Sequence, residues 1–355
     1  MKGGSFERRR GSLLVAVLFV MSVLSLAAVS FAYRSALCRR SVRDRCLIRQ
    51  LRLQAESAAR IALARLAEDV NDFDHPAEPW RMHGALAAED WLAAWGPDDS
   101  GWASGGRFEA DYVVIDEEGK LNVRYASGED LRKLGMTPGA IAGLFDWIDG
   151  DDATASEGAE TPYYLGRSPP YRCKNAPLEL LEELVLIRGF SPSDYWEEDA
   201  DHDGVLDPNE NDGGLSAPDD DADGRLRQGW VDLLTCAGDG RINLNSAPPA
   251  VLETLPLSDG AVRQIVGFRA FDERSSGQLT DHAFRSAEDI DQLQGLTDAD
   301  REVLKRAGKF RSEFFRIFVR TRHVMTDLHV ELEVLARRAE GGSGPPEILL
   351  WTFRP

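Results

Sequence analysis

The densest chemistry in the sequence is acidic. Asp199, Asp201 and Asp203 alternate with other residues and lead into Gly204, Val205, Leu206, Asp207 and, at the twelfth place, Glu210. This spacing fits a calcium loop position by position. Side-chain oxygens fall at places one, three and five, and Gly204 allows the sharp turn at six. The Val205 carbonyl serves at seven, Asp207 stands at nine, and Glu210 supplies two oxygens. Leu206 is expected to anchor the loop to a core. A second run, Asp219, Asp221, Asp223 and Gly224, repeats the first half. Its twelfth residue is Trp230, so Asp232 or a group from elsewhere has to close the shell. Calcium is therefore the expected cofactor. No clear helices flank the loops, which makes them structural staples rather than a sensor pair. Without a cation the acids between 194 and 223 repel one another, and the ion acts as folding energy.

Other chemistry is sparse. The six histidines (75, 83, 202, 282, 323 and 329) form no pair with metal-ligand spacing, and His202 falls at a non-ligand place of the first loop. No GxSxG and no phosphate-cradling glycine loop occurs, so no enzyme is expected. Cys38 and Cys46 lie eight residues apart on one expected helix, too far for a bond. Cys173 and Cys236 flank the acidic, loop-rich stretch; a bridge between them is expected, worth roughly 4 kcal/mol in the loop-entropy account.

Residues 243–269 and 286–308 resemble helix-hairpin-helix units, which in nucleic-acid-binding proteins offer backbone N–H groups to phosphate. They raise a rival reading, a membrane-anchored DNA-binding or uptake protein. Leu257 stands where a hairpin glycine belongs, however, and Asp259 where phosphate would approach. The second hairpin keeps Gly295 but follows it with Asp298 and Asp300. Carboxylates there repel a nucleic-acid backbone, and the net charge of −19 points the same way. Structural use is expected, with no nucleic-acid partner.

These groups need elements to hold them. Residues 13–33 are an apolar run with no charged residue, long enough as a helix to cross a bilayer. From 34 to 70 helix formers continue without Pro or Gly, with an imperfect apolar stripe at Leu51, Leu53, Ala58, Ile61, Leu63 and Leu66. One stalk is expected, half in lipid and half packed on a small domain. Residues 71–106 read as linker with one short helical piece near 85–95. Residues 108–123 read as a hairpin that turns at Glu118 and Gly119. Thr137 opens a helix with Pro138 in its first turn, ending near Ile148 in an acidic cluster. Residues 314–321, 327–336 and 347–353 read as strands; Leu328, Val330, Leu332 and Val334 alternate with polar partners.

The leader Arg8-Arg9-Arg10-Gly11-Ser12, followed by an apolar helix that flows into an amphipathic one, resembles the type IV pilin and pseudopilin signature. In that family a prepilin peptidase cuts after the glycine, which implies a mature chain starting at Ser12. Most members carry Glu at the fifth mature position; here it is Ala16, a departure typical of minor pseudopilin K of type II secretion systems. Three phrases resemble the soluble region of that subfamily: DEEGKLNV at 116–123, GAETPYYLGRSPPYRCKNAPLELLEELVLIRGF at 158–190 and INLNSAPPAVLETLP at 242–256.

The resemblance implies an α+β fold, in which a pilin-like long N-terminal helix packs on an antiparallel sheet. A large, mostly α-helical inserted domain contains the helix-hairpin-helix-like units. The implied layout is a leader at 1–11, a transmembrane helix at 12–33 and stalk with first pilin-like part at 34–126. The insert with its acidic calcium loops occupies 127–310, and closing strands occupy 311–355. It further implies a non-enzymatic cap at the tip of a periplasmic pseudopilus that helps initiate assembly. Its partners would be minor pseudopilins I and J, with H a further candidate, and the setting a single pass of the inner membrane with the bulk periplasmic. Lys and Arg flank both helix ends, so charge alone does not orient it.

Overall fold

Residues 10–68 form one unbroken helix, α1 (Arg10–Glu68), in the computed structural model of the chain. The residues described are 10–81, 108–199, 202, 204, 206–215, 218–270, 279–326, 328–339 and 344–354. After Gly11 this stretch contains no glycine or proline, so nothing in it interrupts the backbone ladder. Serine hydroxyls fold back on the helix, Ser22 Oγ donating to the Leu18 carbonyl and Ser57 Oγ to that of Leu53, both at 2.8 Å. The helix is long and apolar enough near its start to cross a membrane, and the other described residues bury none of that apolar part.

The second half of α1 is different. Leu51, Ala55, Ala58, Ala59, Ala62, Leu63 and Leu66 are buried. They pack on Tyr112, Val114, Phe315, Ile317, Val319, Leu332, Val334 and Ala336. Four alanines on one face let the helix axis approach the sheet closely, which longer side chains would prevent. Leu53, assigned to this stripe from sequence, is exposed. Tertiary contact chose a face built on small residues that hydrophobicity alone underrates.

The sheet consists of β1 (Phe108–Asp116), β6 (Phe314–His323), β7 (His329–Arg337) and β8 (Glu347–Arg354), in the order β1-β6-β7-β8. All three pairings are antiparallel. The three late strands agree closely with their sequence assignments. The hairpin expected at 108–123 does not form. β1 pairs with β6, Val113 opposite Phe318. The residues after it make a buried 3-10 turn (Glu117–Gly119) and then β2 (Leu121–Asn122), which pairs in parallel with β3 (Leu234–Thr235). The Glu-Gly dipeptide marks a turn in either case, but the turn leads out of the sheet. The short helix expected near 85–95 lies outside the described residues.

The described residues between β1 and β6 form an insert on the far face of the sheet. Its helices are α2 (Gly128–Lys133), α3 (Pro138–Ile148), α4 (Thr161–Leu165), α5 (Pro192–Trp196) and α6 (Trp230–Leu233). After β4 (Ile242–Asn243) come α7 (Pro249–Leu252), α8 (Ala261–Arg269), α9 (Ala287–Gln292) and α10 (Asp298–Ala307), then β5 (Gly308–Lys309). α3 starts as expected, with Thr137 accepting from the Ala140 N–H at 3.3 Å. The insert has its own apolar core around Leu144, Trp147, Tyr164, Leu184, Val231, Leu252, Ile265 and Phe284.

A buried ionic joint fastens the insert to the sheet. Arg316 on β6 donates through Nε to Glu117 Oε1 at 2.9 Å and pairs with Glu333 of β7. Lys120 also bonds Glu117 and gives a second proton to the Val231 carbonyl at 2.7 Å. Thr235 Oγ1 donates to Glu117 Oε2 at 2.7 Å. Burial favours the neutral form of Glu117, yet the charges of Arg316 and Lys120 outweigh it and pull the carboxyl down to about 2.

Arg316→Ala should leave Glu117 and Glu333 buried without their shared cation and cost about 3–5 kcal/mol, read by denaturant unfolding. Because the folded value of Glu117 is depressed, its stabilisation is complete above the unfolded carboxyl value of about 4.3. It disappears as pH falls from there toward 2. Glu117→Gln should flatten that acid-side loss of stability; an unchanged slope counts against the assignment.

Candidate metal loops and hairpins

The first acidic loop lies between α5 and α6 on the insert. Asp201, Asp203 and Val205 are outside the described residues, so the loop is read from Asp199, His202, Gly204, Leu206, Asp207 and Glu210. Asp199 Oδ2 accepts the Gly204 N–H at 3.0 Å, tying place one to place six. Gly204 has φ +76°, the left-handed turn that the calcium-loop pattern demands there. The Asp207 N–H donates to Glu210 Oε2 at 3.0 Å, so place twelve folds back under place nine. Asp199 and Glu210 are buried, while Leu206 is only partly so and does not act as the expected core anchor.

Asp232 belongs to this first loop, not to the second. Its Oδ1 lies 2.7 Å from His202 Nδ1. The His202 ring stacks on Phe318 of the sheet, centroids 4.3 Å apart. Oδ2 of Asp232 is buried with no hydrogen-bond partner. Burial, followed by the charge of Asp232, pushes the Asp199 carboxyl up to about 7. Asp199 lies close enough to feel the charges of Asp232 and Glu210, and with one Asp232 oxygen unsatisfied these residues fit a bound cation. The loop opens onto a cleft of about 610 Å³ whose lining includes His75, Arg81, Gly204, Asp232 and Arg269.

The second loop is arranged otherwise. Asp219, Asp221 and Asp223 are exposed. Arg227 pairs with Asp221 and reaches Asp223 at 3.8 Å. The carboxylate that gathers donors is Asp220, which the spacing skips. Its oxygens accept the N–H groups of Asp212, Gly213, Gly214 and Ala222. With Asp232 committed elsewhere, no twelfth-place substitute is evident among the described residues.

The bridge expected between Cys173 and Cys236 is not formed; both are free thiols, as are Cys38 and Cys46. Cys173 Sγ lies 3.5 Å from the Asp146 carbonyl, and burial pushes the Cys236 thiol up to about 12. Flanking a loop-rich stretch does not bring two sulfurs together when each is packed among different neighbours.

The two hairpin units are tied to each other. Asp300, at the start of α10, accepts from Ser258 N–H at 2.7 Å and Ser258 Oγ at 2.6 Å in the first hairpin. It also accepts from Thr297 N–H at 2.8 Å in the second. Burial alone would raise this carboxyl, but those donors hold it well below the usual range. The N–H of Ser258, a group a phosphate would seek, is thus already occupied by a carboxylate.

A long N-terminal helix, bare at its start and packed further along on an antiparallel sheet, is a pilin-like fold, here with a helical insert between the first two strands of that sheet. The family model T2SSK_1st, described as "Type II secretion system (T2SS), protein K", matches residues 131–197 inside the insert. Type II secretion system protein K of Klebsiella pneumoniae is 27% identical over 205 residues, 53% of this chain and 60% of that protein. The protein K of Pseudomonas aeruginosa is 29% identical over 206 residues, 53% and 59%. The matches thus span about three-fifths of the length of these relatives. The fold is shared with a chain in the crystal structure of the GspK-GspI-GspJ complex from the enterotoxigenic Escherichia coli Type 2 Secretion System. The TM-score is 0.53 at 15% identity, over 88% of this chain and 99% of that one. The resemblance to type II secretion system protein K drawn from the sequence holds.

Asp300→Ala should release both hairpins at once and lower unfolding stability by roughly 2–4 kcal/mol, read in urea melts. Asp298→Ala, which removes an exposed carboxylate two residues earlier, should change little.

Proposed function

We propose that this chain is a minor pseudopilin of a type II secretion system, capping the tip of the pseudopilus and helping to initiate its assembly. One observation carries the reading: α1 is uncovered over its apolar part, while its other end supports a sheet whose far face is filled by the insert. The bare part calls for lipid and for partner helices. The bulky insert leaves a pilin-sized body that a subunit stacked above it would clash with, so a tip position suits it. The relatives named protein K, and the fold shared with a chain from a complex with GspI and GspJ, support partners of the I and J type. The role is structural rather than enzymatic.

In this reading the amino end faces the cytoplasm, a prepilin peptidase cuts between Gly11 and Ser12, and the soluble part is periplasmic. The head is stabilised by calcium held by Asp199, Asp201, Asp203, the Val205 carbonyl, Asp207 and Glu210, with Asp232 beside them. The second loop, Asp219, Asp221 and Asp223, takes a cation only if Arg227 yields.

Amino-terminal sequencing of membrane-extracted protein should begin at Ser12; an intact Met1 in cells that carry the peptidase would sink the pilin assignment. Co-expression should bring I- and J-type subunits down with this chain after detergent extraction. Chelation should lower its melting temperature and calcium restore it, since a hundredfold excess over Kd adds about 2.7 kcal/mol of stability. Superimposable melts with chelator and with calcium would show that the ion is not structural.

A further inference from the structure

Between the bare apolar part of α1 and the part packed on the sheet lies a neck, residues 34–50. It carries Arg34, Arg39, Arg40, Arg43, Arg45 and Arg49 against a single acid, Asp44. All six arginines are exposed, in a chain whose net charge is −19. Asp44 lies 3.9 Å from Arg40 Nε and 3.4 Å from Arg43 Nε, and Arg39 gives Nη1 to Ser35 Oγ at 3.0 Å. Among the described residues, Arg34, Arg39, Arg45 and Arg49 form no ion pair. The neck is a band of positive charge that the fold neither covers nor neutralises.

The charge is not confined to one face. At about 100° per residue the arginines spread over roughly 240° of the helix circumference. The arc they leave free holds Leu37, Ser41, Asp44 and Ile48, in line with Leu51 and Ala55, which are buried against the head. Positive charge therefore surrounds the neck on the sides turned away from the sheet. A single partner helix contacts an arc of about 100° and would leave most of these guanidinium groups unmatched. A medium that encloses the helix would not.

Their position along the axis fits the edge of a bilayer. Phe31 and Tyr33, both exposed, end the apolar run, and aromatic rings favour that boundary. Arg34 follows directly, and Arg39 and Arg40 lie about 8–9 Å farther along the axis. The headgroup layer on each side of the hydrocarbon core is about 5–7.5 Å deep. Helical side chains leave the backbone tilted toward the N-terminus, which here is the membrane end. That tilt lets the long stems of Arg43 and Arg45 lean back toward the same layer.

We propose that Arg34, Arg39, Arg40, Arg43 and Arg45 form a collar that binds anionic phospholipid headgroups of the leaflet facing the head. The planar guanidinium fork matches phosphate oxygens, and a lipid of net negative charge is favoured over a zwitterionic one. The collar sets the depth at which the stalk sits, and so the height of the head above the bilayer. The inference rests on α1 crossing a membrane, as in the function proposed above, and on nothing else in that reading.

Native mass spectrometry of the full chain in neutral detergent, supplied with equal amounts of phosphatidylglycerol and phosphatidylcholine, tests it. The parent should take up phosphatidylglycerol in roughly fivefold preference or more, and added salt should erode that preference. Arg39→Gln, Arg40→Gln, Arg43→Gln and Arg45→Gln together should bring it near parity without changing the urea melt, because all four side chains are exposed. A control of equal charge, Arg60→Gln, Arg124→Gln, Arg263→Gln and Arg285→Gln at exposed positions beyond the neck, should keep it. Equal uptake of the two lipids by the parent overturns the proposal. So does a preference that survives the neck substitutions; if those substitutions also abolish co-purification of I- and J-type subunits, the arginines pair with acids on a partner stalk instead. Release of the parent from cell membranes by alkaline carbonate would overturn the membrane span itself, a failure distinct from that of the collar.

Discussion

Arg316 is the constraint on which the rest of the head depends. Its guanidinium is buried on β6 and reaches three things at once: Glu117 at the point where the chain leaves the sheet, Glu333 on the neighbouring strand, and Glu182 of the insert at 3.5 Å. A buried charge tolerates only arrangements that keep its partners close. The exit of the chain from β1, the β6–β7 register and the seat of the insert are therefore coupled through one side chain. Asp116, next to Glu117, gathers uncharged donors instead, accepting from Asn243 Nδ2 at 2.7 Å, Ser246 Oγ at 2.6 Å and Ser312 Oγ at 2.7 Å.

This joint explains how a pilin-like frame carries so large a load. The sheet has one face for α1 and one for the insert, and the two are lined differently. Toward α1 the contacts are apolar, with alanines on the helix against Phe315, Ile317 and Leu332. On the insert side charge and aromatic stacking mix, with Arg316, with His202 on Phe318, and with Arg354 over the Trp196 ring at 3.8 Å. An apolar contact orients the stalk along its length, whereas directional bonds fix the insert to a single register. The first acidic loop sits at this second contact, so an ion that orders it would also firm the seat of the insert.

Much of the frame was legible in the sequence because its signals are local. An apolar run without breakers reads as a helix, and alternation at Val330, Leu332 and Val334 reads as a strand, whatever surrounds them. The turn at Gly204 is equally local, a left-handed glycine set by the 199–210 spacing itself. Failures came where the partner is distant. A turn dipeptide suggests a hairpin at 108–123, but β1 finds its neighbour about two hundred residues later, at β6. Asp232 is nearer the second loop in sequence but lies beside His202 of the first in space.

Amino-acid order by itself determined that a bare apolar helix continues into a packed one, that three late strands close the chain, and that a compact oxygen-rich loop is present. Only tertiary structure decided that Arg316 and Glu117, 199 positions apart, share a buried bond. Only it left Cys173 and Cys236 as separate thiols and brought Glu160 to Asp146 and Asp149. Periodicity is written in neighbouring residues, whereas the desolvation that makes one carboxylate seek a partner depends on what the whole fold excludes from water.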